Sequence, residues 1–326
     1  MKLTTQQIKS ILFGAAECHE EDGGLQCYRY TPAHMERLRS IWDDWRVRAN
    51  ATSGIMLDFY TDSDFFAMTY DQAVQASSQP GYYFELLIDG VSSALIGEAT
   101  ATQLKGGFSL SLPQGKKRVT LLFPTMFRTR IVSVELSDGA TMERVLKNKN
   151  CLFLGDSITQ GYASRFPSLN YVHRIALSLN YHATNLGIGG AAFNACLIDE
   201  QVDYNPDVIF VAYGTNDWAK GYTAEKIAGN CRAFFDKLRR QYSTQPIYVI
   251  LPIWRDNYSS VLPSGTLLDV RKLIKDIAND YPSTNVIDLF DDIPHNPALY
   301  TDGLHPNDNG FAYYANNVLK KLEGNI

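Results

Sequence analysis

Apolar and polar positions change rhythm near the middle of the chain. Up to about residue 146 the dominant repeat is two. Alternating or aromatic-rich runs cover Ile55 to Tyr60, Phe65 to Tyr70, Tyr82 to Asp89, Phe108 to Leu112, Arg118 to Phe123 and Ile131 to Leu136. Turn residues separate them: Asp62-Ser63-Asp64, Asp89-Gly90, Gly106-Gly107, Pro113-Gln114-Gly115 and Asp138-Gly139. Short strands at this spacing predict an antiparallel, jelly-roll-like β-sandwich or a barrel. Two helices are expected before them. One lies near residues 4–13, and one starts at Thr31-Pro32, a good N-cap with proline at the first helical position.

From residue 150 apolar runs alternate with helical stretches. Strands are expected over Cys151–Leu154, Ala183–Leu186, Val208–Tyr213, Ile247–Leu251 and Val286–Leu289. Helices are expected over Tyr171–Leu179, Thr223–Arg240, Leu267–Asn279 and Gly310–Leu322. The alternation predicts a parallel sheet with helices on both faces. The boundary falls in Arg144 to Asn150, where Lys147-Asn148-Lys149-Asn150 is polar, giving an accessory domain over 1–148 and a second domain over 149–326.

Composition narrows the function classes. The chain has 326 residues, 45% of them apolar, with 30 basic and 35 acidic side chains and a net charge of −5. Two domains of this size each bury a sufficient core. The mildly acidic balance argues against a nucleic-acid partner. The densest basic run, Lys116-Lys117-Arg118, reads as a solvated turn. No segment has the run of about 18 apolar residues that a membrane helix needs. The apolar run Ile11 to Ala16 is shorter than a signal-peptide core, so a cytoplasmic protein is expected. The five scattered cysteines (Cys18, Cys27, Cys151, Cys196 and Cys231) read as reduced thiols. Cys18-His19 with Cys27 offers half a metal site, and no C-x-x-C pair completes it.

In an open parallel sheet, ligands bind beyond the carboxyl ends of the strands. The residues there are Gly155-Asp156-Ser157-Ile158-Thr159-Gln160-Gly161, Asn185-Leu186-Gly187-Ile188-Gly189-Gly190, Gly214-Thr215-Asn216-Asp217 and, near the C-terminus, Asp302-Gly303-Leu304-His305-Pro306. Ser157 at a strand-to-helix turn suits a nucleophile or a helix N-cap. Its flanks are neither a nucleophile elbow nor a phosphate loop. His305, with Asp302 three residues before it, suits a base and its orienter, or a surface pair in a turn. A tetrahedral intermediate would take donors from the Ser157 N–H, a glycine N–H of the second loop and Asn216. The second loop also fits the dinucleotide pattern G-x-G-x-x-G/A. The acidic residue that pattern requires is misplaced, because Asp207 precedes the next strand.

Taken together, the four blocks resemble the SGNH hydrolases, or GDSL esterases, in order and spacing over about 150–326. The resemblance implies a three-layer α/β/α flavodoxin-like fold and no metal or organic cofactor. It also implies Ser157 as nucleophile and first oxyanion donor, Gly190 as second donor, Asn216 as third, His305 as base and Asp302 as its orienter. Gly187 is the alternative second donor. Thr52-Ser53-Gly54-Ile55, Asp58-Phe59-Tyr60-Thr61-Asp62-Ser63 and Asp89-Gly90 are similar to the β-sandwich that precedes the hydrolase domain in some bacterial carbohydrate esterases. Those relatives remove acetyl groups from sugars.

Trp218 and Tyr162 are candidates for an aromatic rim that holds a sugar ring or a small acyl group, or for packing. The resulting expectation is a serine esterase for short acyl esters on carbohydrates, with no nucleic-acid or membrane partner. The rival expectations are a lipid esterase or thioesterase on the same serine, and a non-catalytic carbohydrate-binding protein.

Overall fold

The computed structural model describes residues 1–79, 81–102 and 105–323. The first half holds α1 (Thr5–Ser10), β1 (Leu12–Phe13), β2 (Glu17–Glu21), β3 (Gly24–Tyr28), α2 (Pro32–Ile41) and α3 (Asp43–Ala49), followed by β4 (Met56–Thr61), β5 (Phe65–Gln75), β6 (Tyr82–Ile88), β7 (Val91–Glu98), β8 (Lys105–Ser111), β9 (Lys117–Leu122), β10 (Phe127–Leu136) and β11 (Glu143–Arg144). Two antiparallel sheets form, ordered β1-β4-β9-β6-β7 and β2-β3-β10-β5-β8, with β11 beside β4. Leu57, Phe59, Phe66, Phe84, Leu121 and Val134 fill the space between them.

The expected helix over 4–13 ends early. Thr4 and Gln7 form a capping box, but Leu12 and Phe13 pair with Leu57 and Met56 as a strand. Burying both apolar side chains against the sheet wins over one more helical turn. The β2–β3 hairpin is absent from the alternation reading because β2 (Glu-Cys-His-Glu-Glu) has no apolar repeat. Its turn signal, Asp22-Gly23, is present, and both residues have positive φ.

The second half holds β12 (Asn150–Gly155), α4 (Ser157–Gln160), α5 (Tyr171–Leu179), β13 (His182–Gly187), β14 (Val208–Ala212), α6 (Thr215–Ala219), α7 (Ala224–Gln241), β15 (Ile247–Ile250), α8 (Leu267–Asn279), β16 (Thr284–Ile287) and α9 (Asp308–Leu322). The five strands are parallel, in the order β13-β12-β14-β15-β16. Alternate residues of β12 serve opposite faces: Leu152 and Leu154 join one core, Cys151 and Phe153 the other. α7 covers one face with Ile227, Cys231, Phe234, Phe235 and Leu238, an interval pattern that keeps one helical stripe inward. The chain leaves β12 to one side for β13 and returns to the other for β14. The sheet therefore splits its connections beside β12, and a crevice opens at the carboxyl end of that strand.

α2 and α3 sit between two sandwich strands in sequence, yet Tyr30, Leu38, Trp45 and Ala49 lie in the same core as Leu186 and Phe193. Arg29 fixes this arrangement. It is 1% exposed. Its guanidinium donates to the carbonyls of Ala51 (2.7 Å), Asn185 (2.8 Å), Gly187 (2.9 Å) and Arg48 (3.0 Å). Burial lowers its pKa to about 10, so it stays charged at neutral pH and each peptide oxygen takes a charge-assisted bond. Among the described residues no helix is long and apolar enough to cross a membrane.

Candidate active site

Gly155 ends β12, and the chain turns directly into α4. A Cβ on Gly155 would lie 1.9 Å from Thr159 Oγ1, so only glycine lets the helix close this tightly on the strand. The Asp156 carboxylate caps α4 by accepting the Ile158 N–H at 2.9 Å. Capping thus falls to Asp156, which leaves the Ser157 hydroxyl outside the cap. Burial pushes the Asp156 pKa up to about 7, with the neighbouring Asp217 adding to the rise.

Ser157 Oγ lies 2.8 Å from His305 Nε2, and His305 Nδ1 lies 2.8 Å from Asp302 Oδ2. Asp302 is an acceptor only, so Nδ1 carries the proton and Nε2 presents its lone pair to the hydroxyl. The other oxygen, Asp302 Oδ1, accepts the backbone N–H of His305 (2.8 Å) and of Leu304 (3.1 Å). The carboxylate thereby holds both ends of its own loop. Burial alone would raise the Asp302 pKa, but the hydrogen bonds from His305 and Leu304 outweigh it and the group lies below the usual range. Burial lowers His305 below its ordinary 6.5, Asp302 opposes the shift, and Arg255 reinforces it.

Gly190 lies at φ +75°, a left-handed conformation natural to glycine. Its carbonyl accepts from Lys220 Nζ at 2.8 Å. The preceding peptide is held on both sides: Gly189 N–H donates to Gln160 Oε1 (2.8 Å), and Arg48 donates to Gly189 O (2.7 Å). Among the described residues neither Ser157 N–H nor Gly190 N–H has an acceptor. Asn216 spends one amide hydrogen on Ala191 O at 2.9 Å and keeps the other. Gly187 stands differently. Its N–H donates to Asn185 Oδ1 at 2.8 Å, and it is buried beneath the loop, which removes it as a donor to the cleft.

Ser157, His305, Gly190 and Asn216 open onto one cleft of about 330 Å³. Tyr162 lines it, with its ring centroid 4.6 Å from that of His305. Trp218 does not. It is 1% exposed, its indole N–H donates to Gly265 O at 3.0 Å, and Arg255 lies over its ring. Two residues along a helix rotate a side chain by about 200°, so with Asn216 facing the cleft Trp218 faces the core. The expectation of a Trp218 rim is corrected accordingly.

Sequence reasoning missed the opposite wall. Arg48 of α3, Ser77 and Ser78 after β5, and Met126 before β10 all line the cleft. Ser78 Oγ lies 2.9 Å from Tyr162 Oη, and Gln79 Nε2 donates to Ser164 O at 3.3 Å. Ala163, between these contacts, takes φ +72°, strained for a residue with a Cβ. No local motif marks these positions. Gln160 alone carried a signal, as part of the block that follows β12.

Residues 153–313 match the model of the GDSL-like lipase/acylhydrolase family. The chain carries a GDSL/SGNH hydrolase domain. A multidomain esterase of Ruminococcus flavefaciens is 30% identical to it over 130 residues, 37% of this chain and 16% of that protein. This chain thus spans about a sixth of that relative. Among solved structures, a salicylyl-acyltransferase of a tetracycline biosynthetic pathway has a TM-score of 0.82 at 20% identity, covering 96% of this chain and 93% of its own. A GDSL-like lipase from Bacteroides ovatus has 0.78 at 17%, covering 99% and 97%. A family two carbohydrate esterase from Clostridium thermocellum, solved with cellohexaose, has 0.69 at 15%, covering 96% and 98%. These likenesses are of fold, and they cover both the antiparallel half and the parallel-sheet half of the chain.

Proposed function

We propose that the protein is a serine esterase that removes short acyl groups, acetyl first among them, from carbohydrates through an acyl-enzyme. The observation that carries this reading is the relay Ser157–His305–Asp302, with 2.8 Å at each step, at the mouth of a cleft that also holds Gly190 and Asn216. His305 Nε2 takes the Ser157 proton as Oγ attacks the ester carbonyl. The tetrahedral oxyanion accepts from Ser157 N–H, Gly190 N–H and the remaining Asn216 amide hydrogen. His305 then gives its proton to the leaving alcohol. In the second half-reaction it takes a proton from water as the water oxygen attacks the acyl carbonyl, then returns that proton to Ser157 Oγ as the acyl–Oγ bond breaks and the acid leaves. Asp302 keeps the imidazole in the required tautomer and stabilises the imidazolium.

The esterase name of the Ruminococcus relative supports ester hydrolysis, and the carbohydrate esterase solved with cellohexaose supports a sugar as the alcohol portion. The test is release of acetate from p-nitrophenyl acetate and from acetylated xylo- and manno-oligosaccharides by wild type and Ser157→Ala. Hydrolysis of both, lost with Ser157, is the expected result. Hydrolysis of the small ester alone would keep the esterase and remove the sugar. Hydrolysis that survives Ser157→Ala would remove the mechanism.

A further inference from the structure

The sandwich carries a piece of chemistry that the cleft does not use. β2 and β3 form a hairpin closed by Asp22 and Gly23, at φ 46° and 80°. A two-residue turn with both φ positive is of type I′, and in such a hairpin the flanking residues, here Glu21 and Gly24, exchange both backbone hydrogen bonds. Antiparallel pairs then alternate. Counting outward along the register, Glu20↔Leu25 is non-bonded, His19↔Gln26 bonded and Cys18↔Cys27 non-bonded. Non-bonded pairs bring the Cα atoms to about 4.5 Å with side chains on one face, within the span a disulfide bridges. The two Sγ atoms lie 2.8 Å apart.

We propose that Cys18 and Cys27 form a dithiol site that exchanges with low-molecular-weight disulfides and closes as a cross-strand disulfide. The two sulfurs are unequal. Cys27 is 2% exposed, in the core beside Leu25 and Ile131, whereas Cys18 is half-buried and reachable from solvent. The hydrogen bond with Cys27 favours the Cys18 thiolate, burial opposes this, and Lys9 adds to it. The same bond, together with burial, raises Cys27. Cys18 is therefore the attacking sulfur and Cys27 the resolving one.

With oxidised glutathione, the Cys18 thiolate attacks one sulfur and forms a mixed disulfide, expelling a glutathione thiolate. The Cys27 thiol then loses its proton and attacks Cys18 Sγ, expelling the second glutathione thiolate. Two protein thiols are oxidised, one glutathione disulfide is reduced, and the two protons pass to the two glutathiones. The other cysteines serve as internal controls. Cys151 and Cys231 are buried, and neither they nor Cys196 face another sulfur among the described residues.

The experiment uses the full chain equilibrated in oxidised and reduced glutathione mixtures, quenched in acid, unfolded, alkylated and mapped by mass spectrometry. The expected result is that three of the five cysteines alkylate after oxidation, with a Cys18–Cys27 peptide linkage that reduced glutathione reverses. Cys27→Ser is expected to hold glutathione on Cys18 as a stable mixed disulfide, and Cys18→Ser to leave Cys27 unmodified. Alkylation of all five cysteines under fully oxidising conditions, a linkage joining another pair, or glutathione on Cys27 in Cys18→Ser would each overturn the proposal. Wild-type mapping decides the linkage even where a variant folds poorly.

Discussion

The two walls of the cleft are built in opposite ways. The wall from the parallel sheet is local: Ser157, Gly190 and Asn216 each stand within a few residues of a strand's carboxyl end, and His305 with Asp302 occupies one tight loop. The wall from the first half is assembled from distance. Arg48, Ser77, Ser78 and Met126 come from three separate segments and meet only because the sandwich and α2–α3 dock on the hydrolase domain. The proposed mechanism draws its reacting groups from the first wall, and the second wall contacts the loops that carry them, through Arg48 on Gly189 O and Ser78 on Tyr162. Substitutions on each wall should therefore fail differently.

The largest effect belongs to the local wall. Ser157→Ala or His305→Ala should lower kcat for p-nitrophenyl acetate by about 10⁴–10⁶-fold without shifting the unfolding midpoint by more than a few degrees. A comparable loss of folding stability in both would mean that the wall is structural and would erase the contrast.

Next comes Arg29, which belongs to neither wall and ties them together. Arg29→Met removes the charged donor from the buried carbonyls of Ala51, Asn185 and Gly187, whereas that of Arg48 keeps Gln160 Nε2 at 2.9 Å. A cost of about 3–5 kcal/mol is expected, read by urea unfolding followed separately by tryptophan fluorescence and far-ultraviolet dichroism. Activity at low temperature should survive better than stability does, because the relay itself is intact.

Asn216→Ala should lower kcat about 10²–10³-fold with KM nearly unchanged, the loss of one oxyanion donor. A change confined to KM would assign Asn216 to ground-state binding instead.

The difference between the walls also explains what the sequence made legible. A strand followed by Gly-Asp-Ser is a local statement, readable without knowing what lies across the cleft. The parallel sheet was readable for the same reason, since each strand and helix carries its own period. Arg29 reads in isolation as one more surface charge, because its burial depends on carbonyls up to 158 residues away. Arg48 is silent for a similar reason. Trp218 misled because adjacency to Asn216 suggested a shared direction, whereas α6 turns the two to opposite sides. The β2–β3 hairpin lacked apolar alternation because its outer strand is polar, and its Asp-Gly turn was the one available sign.

The pH profile sharpens the contrast further. The proposed mechanism requires His305 neutral, so kcat/KM should rise with pH as the imidazole loses its proton and then level off. Burial holds the His305 pKa below 6.5, so the midpoint of the acid limb is expected below pH 6.5, with about tenfold loss per unit beneath it. Arg255 lowers the same pKa from outside the cleft lining. Arg255→Met should therefore move the limb to higher pH, while an unchanged limb would mean that burial alone sets it.

The smallest effect is expected where the two walls touch most lightly. Ser78 Oγ meets the Tyr162 hydroxyl at 2.9 Å in an exposed contact, while the Tyr162 ring leans on His305. A single exposed hydrogen bond contributes about 0.5 kcal/mol, so Ser78→Ala should change kcat/KM about twofold. Tyr162→Ala removes the ring itself and should cost clearly more, since His305 then loses one side of its support and part of its shielding from water. Comparing the two variants on one small ester separates the contribution of the sandwich from that of the aromatic ring. Equal losses would mean that the sandwich, through Ser78, is what holds Tyr162 against the base, and the distant wall would then share in catalysis rather than only frame it.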